Sequence, residues 1–408
     1  MEQKSDEDFD ITIIGGGIQG AGIAQAAAAA GYRTLLVEKT DWAAGTSSKS
    51  SKLIHGGLRY LEHGQWSLVR ESIRERELLI KLAPELVQRN DFFIPLYKNS
   101  RLSSTQLRCG LWVYQLLSGF KSSSRFEQLK PEDKPFFSQL NSDGLHSIFR
   151  YSDAQTDDQA LTRAVVQSAS DLGVTLTCPA EMLHAEANSS GYNLQIRHKG
   201  KTLSLHCQVL INACGPWVNH LLRSISPMPR RIEIELVQGT HIFFEEQLSP
   251  YCFYLEAPQD GRAVFVMPWK NGTLVGTTET LYLGHPDHCH PLDSEVDYLQ
   301  TVLNHYFPNW IKTPNDAFCG LRVLPKALGS DQRIFSRSRE VIVKAEGHYI
   351  GVYGGKLTGY RATAEKIIKQ VREIIGRRQE VARTDKLTLK SSDLPPQSSL
   401  HTSAHSDR

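Results

Sequence analysis

The chain predicts a mixed α/β protein, and three observations carry that prediction. An apolar strand, Phe9 to Ile14, runs into Gly15-Gly16-Gly17-Ile18-Gln19-Gly20 and then into an alanine-rich helix. Segments between residues 192 and 277 alternate or run apolar, as antiparallel strands do. A second glycine-rich helix start, Tyr353 to Arg361, comes more than 330 residues after the first. Together they give a Rossmann-like dinucleotide-binding unit interleaved with an antiparallel-sheet unit.

The elements follow in order. Ala21 to Ala30 is a strong helix-forming run ended by Gly31, and Thr34 to Val37 is a second strand closing in Glu38. Trp66 to Leu86 has apolar residues at helical spacing with charge between, and should stop near Pro84. Leu161 to Gly173 is another helix, followed by the strand Val174 to Thr177. Strands are expected at Tyr192–Ile196, Leu203–Cys207, Val209–Ala213, Ile232–Phe244, Ala263–Met267 and Thr273–Thr277. Val296 to Tyr306 reads as helix, Glu340–Ala345 with Tyr349–Val352 as a hairpin, and Gly359 to Ile375 as a closing helix. Ser391 to Arg408 is rich in Ser, Pro and His, with little to bury, and reads as disordered.

Bulk properties exclude several classes. The 408 residues suffice for one large or two ordinary domains. A net charge of +2, with no basic block and no zinc-finger spacing, argues against nucleic acid as a partner. The seven cysteines are dispersed without a Cys-x-x-Cys pair, which fits reduced thiols in a cytoplasmic setting. Met1 to Asp10 is acidic and leads straight into a strand, unlike a signal peptide. No apolar run approaches the roughly 20 residues that span a bilayer. The expected protein is soluble or peripheral on the inner face of a membrane.

The densest chemistry lies in residues 46–62, Thr-Ser-Ser-Lys-Ser-Ser-Lys-Leu-Ile-His-Gly-Gly-Leu-Arg-Tyr-Leu-Glu. Hydroxyls, two lysines, a histidine, a diglycine and an arginine share seventeen residues. Such a run can wrap a cofactor phosphate at one end and present His55 and Arg59 to a substrate at the other. Gly15-x-Gly17-x-x-Gly20 alone is a weak signal, since a tight turn explains it equally well. Its strand-before, helix-after context and Glu38 strengthen it: glycines let a pyrophosphate approach, and the carboxylate binds ribose hydroxyls. NAD and FAD share this fingerprint. Ile211 to Trp217, a strand ending in small residues, and Tyr353 to Arg361 both favour the larger FAD.

At these residues the chain resembles the FAD-dependent glycerol-3-phosphate dehydrogenases, within the D-amino-acid-oxidase-like flavoenzymes. The resemblance rests on Gly15–Gly22, Thr46–Glu62, Asn212–Trp217, Gly239-Thr240-His241, Gly276-Thr277-Thr278, Gly320-Leu321-Arg322 and Gly354–Arg361, and covers about residues 8–388. It implies FAD bound by Gly15, Gly17, Gly20, Glu38 and Lys39, and by Thr46, Ser47, Ser48, Ser51 and Leu53. It implies further contacts from Ala180 and Glu181, from Ala213 and Gly215, and from Gly355, Lys356, Leu357 and Thr358. The implied reaction is oxidation of sn-glycerol 3-phosphate to dihydroxyacetone phosphate by hydride transfer to flavin N5, with a membrane quinone as acceptor. Two departures stand out. Ala26 and Ala30 replace an aspartate and an arginine usual in the family's first helix. The family's helical C-terminal domain is expected to be absent, since this chain carries a polar tail from about Lys390.

The resemblance places Arg59, Arg322 and Tyr60 at the substrate phosphate. A guanidinium fork suits a phosphate because it donates two parallel bonds; otherwise each is a salt-bridge arginine. Alcohol oxidation also needs a base for the hydroxyl proton. His55 is the first candidate, with Arg59 and Lys356 favouring its neutral form, and His241 is the second. Lys356 would stabilise negative charge on the oxygen or the reduced flavin. The cluster His285-Pro-Asp-His-Cys-His-Pro looks metal-like, but its prolines and spacing read as a solvated loop, and no metal is expected.

Residues 101–125 carry Arg101, Arg108, Lys121 and Arg125 among Leu107, Leu111, Trp112, Val113, Leu116, Leu117 and Phe120, with no acid. Such a segment either lies in an anionic membrane interface or packs on its own domain. Three other readings remain: an oxygen-using glycerol-3-phosphate oxidase, a related 2-hydroxyacid flavin dehydrogenase, and an inactive flavin-binding adaptor. The expected division is 8–62, 150–228 and 335–388 for FAD binding, 63–149 and 229–334 for a substrate cap, and a tail at 389–408.

Overall fold

The computed structural model describes residues 8–61, 64–119, 125–130, 135–326 and 340–394. Glu62, residues 120–124 of the arginine-rich segment and 395–408 of the expected tail lie outside them. The chain alternates between two sheets. β1 (Asp8–Ile14), α1 (Ile18–Ala29) and β2 (Thr34–Val37) make the opening unit. The helix starts at Ile18, inside the glycine run, and all its residues but Gln19 are buried. Alanines and glycines let it lie close against neighbouring helices on either side, and Ala26 and Ala30 are both in that core.

The chain then builds part of the second sheet: β3 (Leu53–Ile54), α2 (Trp66–Leu82), β4 (Val87–Tyr97), α3 (Ser104–Leu117), β5 (Glu127–Leu129) and β6 (Leu145–Thr156). α2 ends before Pro84, because the residue ahead of a proline avoids helical geometry. β4 and β6 pair over almost their whole lengths. Neither was foreseen: Asn90, Asp91 and Pro95 in one, and Ser147, Ser152 and Asp153 in the other, obscure the strand pattern. β3 and β6 belong to the second sheet, so the crossings do not fall at the expected boundaries of 62 and 150.

The first sheet resumes with α4 (Asp158–Asp171), β7 (Thr175–Thr177), β8 (Ala180–Asn188), β9 (Gly191–His198), β10 (Lys201–Asn212), α5 (Val218–Leu221) and β11 (Ile225–Ser226). The two strands expected at 203–213 are one. Residues 201–207 of β10 pair antiparallel with β9, and residues 206–212 pair parallel with β1. The second sheet is completed by β12 (Ile234–Phe244), β13 (Cys252–Glu256), β14 (Ala263–Trp269), β15 (Gly272–Gly276), β16 (Thr280–Tyr282), α6 (Asp293–Tyr306) and β17 (Asp316–Pro325). β18 (Ile342–Glu346), β19 (Tyr349–Tyr353) and α7 (Tyr360–Ile375) close the first sheet, with β19 parallel to β10.

α1, α4 and α7 cover one face of the first sheet in a continuous apolar core. The second sheet is covered by α6 through Leu299, Val302 and Leu303, and elsewhere by α2 and α3 through Val69, Ile73, Leu107 and Leu111. After α7 the chain returns over α1, where Val381 and Ala382 donate their N–H groups to Ala29. The described start of the expected tail is docked: Leu389 is buried, its N–H bonds Leu82 O, and Leu394 packs on the first core.

Candidate active site

The glycine turn is dictated by contact. Gly15 has φ +113°, and a Cβ there would meet Ala213 O at 2.7 Å. A Cβ on Gly20 would lie 1.8 Å from Gly15 O, so only glycine lets α1 start this close to β1. Gly17 is the extended N-cap of α1 and offers no side chain. Glu38 accepts the Gly16 N–H at 2.7 Å and the Thr40 N–H at 2.8 Å, which fixes its carboxylate beside the turn.

The hydroxyl-rich loop ties this turn to the second sheet. Ser47 Oγ accepts the Ile18 N–H (2.9 Å), Ser48 Oγ donates to Gly45 O (3.2 Å), and Thr46 Oγ1 donates to Leu321 O on β17 (2.7 Å). Ser51 Oγ lies 2.9 Å from His241 Nε2 on β12. Lys52 is not a phosphate donor: its Nζ is buried on Asp158 Oδ1 and Ser48 O, at 2.6 Å each. Leu53 is buried in β3.

His55 is half-buried, and its N–H bonds Thr358 Oγ1 at 3.2 Å. Gly56 N–H is shared by Tyr114 OH (3.0 Å) and Asp153 Oδ1 (3.1 Å). Arg76, wholly buried on α2, binds that same Asp153 oxygen at 2.5 Å and Tyr114 OH at 3.0 Å. This ion pair anchors the diglycine, and a side chain on Gly56 would collide with Tyr114 OH at 2.2 Å. Tyr60 is buried, and Lys356 Nζ stands 3.7 Å from its ring centroid, a close cation–π contact.

His241 is 1% exposed and stacks on Phe318, with ring centroids 5.0 Å apart. Burial first, then the nearby Arg322 and Lys52 charges, hold its pKa well below the usual value, so the ring is neutral. Among the described residues its Nδ1 has no hydrogen-bond partner. Arg322 bonds Thr278 O (3.3 Å) and Thr277 Oγ1 (3.1 Å), and pairs with Glu279 at 3.5 Å. Arg262 pairs with the other oxygen of Glu279 at 3.2 Å, so two guanidiniums share one carboxylate. Gly239 makes room, since a Cβ there would sit 2.6 Å from Arg322 Nη2.

Glu295 of α6 braces this corner from behind. Its buried carboxylate accepts from Thr240 Oγ1 (2.6 Å), Gln238 Nε2 (2.6 Å), Thr278 Oγ1 (2.8 Å) and Thr280 Oγ1 (2.7 Å). Burial raises its pKa, but those four bonds outweigh burial and leave it below the ordinary carboxylate range.

Residues 10–365 match the family described as FAD dependent oxidoreductase. The chain belongs to that family. It is 34% identical over 385 residues to the aerobic glycerol-3-phosphate dehydrogenase of Bacillus subtilis, which covers 91% of this chain and 68% of that protein. It is 32% identical to the D-erythritol 1-phosphate dehydrogenase of Brucella abortus, over 90% of this chain and 74% of that one. Its fold is similar to the glycerol-3-phosphate dehydrogenase of Bacillus halodurans complexed with FAD, at TM-score 0.73 and 25% identity, with 94% of this chain and 68% of that one covered.

The FAD oxidoreductase therefore has FAD as its cofactor, and the residues present fit it. The bare turn at Gly15 and Gly17, with Gly20 packed beneath it, leaves room for a pyrophosphate at the N-terminus of α1. Ala180 N–H bonds Glu38 O, and Lys39 pairs with Glu181 at 3.0 Å, so these four gather at one strand end. Ala213 N–H bonds Ile14 O and Gly215 has φ +52°, which brings them beside the turn. Gly354 and Gly355 have φ +80° and +109°, and Gln19 Nε2 reaches Lys356 O at 3.3 Å. Gly355 to Thr358, with Leu357 packed on the first core, thus lie against the start of α1.

Sequence reasoning missed Arg76, Asp153, Tyr114, Asp158, Arg262, Glu279 and Glu295. One signal existed: charged residues at buried helix positions, as Arg76 and Glu295 are, require partners. The cluster at 285–291 is held by Trp217 Nε1, which donates to Asp287 Oδ1 at 2.7 Å. Among the described residues no three His, Cys, Asp or Glu are grouped for a metal. Arg101 pairs with Glu256, from outside the 101–125 segment, at 3.0 Å. Leu107 and Leu111 of α3 are buried on the protein itself, while Trp112 and Leu116 are 52% and 45% exposed.

Proposed function

We propose that this flavoenzyme oxidises the C2 hydroxyl of sn-glycerol 3-phosphate to the ketone of dihydroxyacetone phosphate. The observation that carries the reading is the buried, neutral His241, held by Ser51 of the cofactor loop and neighboured by the Arg322 charge. Bound FAD supplies a two-electron acceptor for the hydride from C2. In the tautomer whose Nε2–H donates to Ser51 Oγ, 2.9 Å away, the Nδ1 lone pair takes the hydroxyl proton. That moves the base from His55, the first choice from sequence, to His241, with His55 as the alternative acceptor. Arg322 and Arg59 bind the phosphate dianion, and Tyr60 orders Lys356, whose charge stabilises the oxygen as it loses its proton.

The electrons go to a quinone, reached from a membrane surface. Supporting this, α3 presents Trp112 and Leu116 outward beside Arg108, a pairing suited to an anionic interface. No described helix is long and apolar enough to cross a membrane.

The test is anaerobic bleaching of the purified yellow protein. Rapid loss of oxidised-flavin absorbance with glycerol 3-phosphate, absent with glycerol or lactate, supports the proposal. Faster bleaching with erythritol 1-phosphate would assign the longer polyol, and no bleaching with either would overturn the proposal.

A further inference from the structure

One pair of sulphurs is not used by the flavin chemistry. Cys289 Sγ and Cys319 Sγ lie 3.0 Å apart, and among the described residues no other two of the seven cysteine thiols are in contact. They come from different elements. Cys319 is in β17, 3% exposed, and opposite Thr240 of β12. Cys289 is half-buried in the His285–Pro291 loop, where its Sγ also reaches Gln238 Oε1 at 3.3 Å. Gln238 Nε2 donates to His290 O at 2.9 Å, and Trp217 holds Asp287. The loop is therefore fixed on both sides of Cys289, and the two sulphurs are held together by surroundings rather than by chance approach.

We propose that Cys289 and Cys319 are a peroxide-oxidisable dithiol that closes to an intramolecular disulfide, tying the 285–291 loop to β17 three residues before Arg322. The oxidant is a hydroperoxide, small enough to reach a half-buried sulphur. Cys289 is the attacking thiol. Burial pushes both thiols up, Cys319 to about 12, but the Cys319 S–H and the Lys49 charge draw Cys289 part of the way back. Its thiolate attacks the peroxide: an S–O bond forms, the O–O bond breaks, and the leaving oxygen takes the Cys289 proton to depart as water or an alcohol. Cys319 then attacks the sulfenic sulphur: the S–S bond forms, the S–O bond breaks, and hydroxide leaves with the Cys319 proton as water. Two thiols lose two electrons and the peroxide gains them. Because thiolate is the reactive form, oxidation accelerates as pH rises above neutrality.

The experiment uses the full-length holoprotein, reduced, freed of reductant and exposed to a slight excess of hydrogen peroxide. Remaining thiols are alkylated with N-ethylmaleimide in denaturant, so that buried cysteines react, before trypsin digestion. Cleavage after Lys270, Lys312 and Arg322 places Cys289 and Cys319 on separate peptides, 271–312 and 313–322. The expected result is a fall from seven alkylatable thiols to five, one linked peptide pair, and full recovery with dithiothreitol. In Cys289→Ser the linked pair is absent and Cys319 remains alkylatable. The proposal is overturned if both thiols stay alkylatable while exposed Cys109 is oxidised, or if the linkage joins any other pair.

Discussion

Ser51 Oγ and His241 Nε2 stand 2.9 Å apart, joining a loop that begins beside the glycine turn to a strand within the second sheet. That bond holds a buried ring in place. Ser51→Ala should slow reduction of the flavin-loaded protein by about tenfold, the worth of one hydrogen bond of about 1.4 kcal/mol. Stopped-flow absorbance checks it; an unchanged rate would detach Ser51 from the chemistry.

The pH dependence has a definite sign. In the proposed reaction His241 is the neutral acceptor, and its pKa lies well below 6.5 in the folded protein. Reduction should therefore be flat around neutrality and decline only as pH falls through that lowered value. An ordinary exposed histidine would already show the decline near pH 6.5. The same shift favours the folded state above 6.5, and that stability is lost progressively as pH drops below 6.5. His241→Gln should remove the acid limb with most of the rate, whereas loss of that limb in His55→Gln alone would assign the base to His55.

Arg322→Met should raise the KM for glycerol 3-phosphate by roughly a hundredfold, from loss of charge-assisted bonds worth about 2–3 kcal/mol. Slow oxidation of unphosphorylated glycerol should be little altered. Equal losses on both substrates would mean that Arg322 only braces Glu279.

Glu295→Gln should lower the unfolding free energy by about 1–3 kcal/mol, since an amide cannot accept on both sides as the carboxylate does. The wild-type carboxylate, with its pKa below 4.5, contributes stability above that value and loses it as pH falls through the folded pKa. The variant's urea midpoint should therefore change less between about pH 5 and pH 3 than the wild type's.

Gly20→Ala should abolish flavin retention, because its Cβ would fall 1.8 Å from Gly15 O and push α1 off β1. The ratio of flavin to protein absorbance after purification is the measure. A fully yellow variant would show that the turn relaxes more than this packing allows.

The parts legible in sequence were those coded locally. The Gly15–Gly20 turn, the 342–353 hairpin and α7 announce themselves through spacing and residue type. His241 and Arg322 stand out as site candidates only through the short motifs Gly-Thr-His and Gly-Leu-Arg. What stayed hidden was long-range pairing. Lys52 lies in a run able to wrap a phosphate, but it binds Asp158, 106 positions away, which leaves no trace in its neighbourhood. Arg361 likewise forms a buried bidentate pair with Glu75, 286 positions away. β4 and β6 were invisible because their polar residues are satisfied by each other, as in the Ser152–Asp91 bond at 2.7 Å, and no pattern within either strand records that.

The partner exchange along β10 also has a meaning in time. One edge of that strand is filled by β9 beside residues 201–207 and by β19 beside 210–212. The first partner has just been made, as the preceding arm of a short hairpin, but the second is not made until residue 349. During synthesis, at about 5–20 residues per second, the buried end of β10 must wait for some 140 further residues, with an edge open to any passing strand. The molecule's exposure to aggregation therefore belongs to its birth on the ribosome. Slower, cooler expression or chaperone cover should improve yield through that interval, while the finished protein, with the gap closed, gains nothing from either.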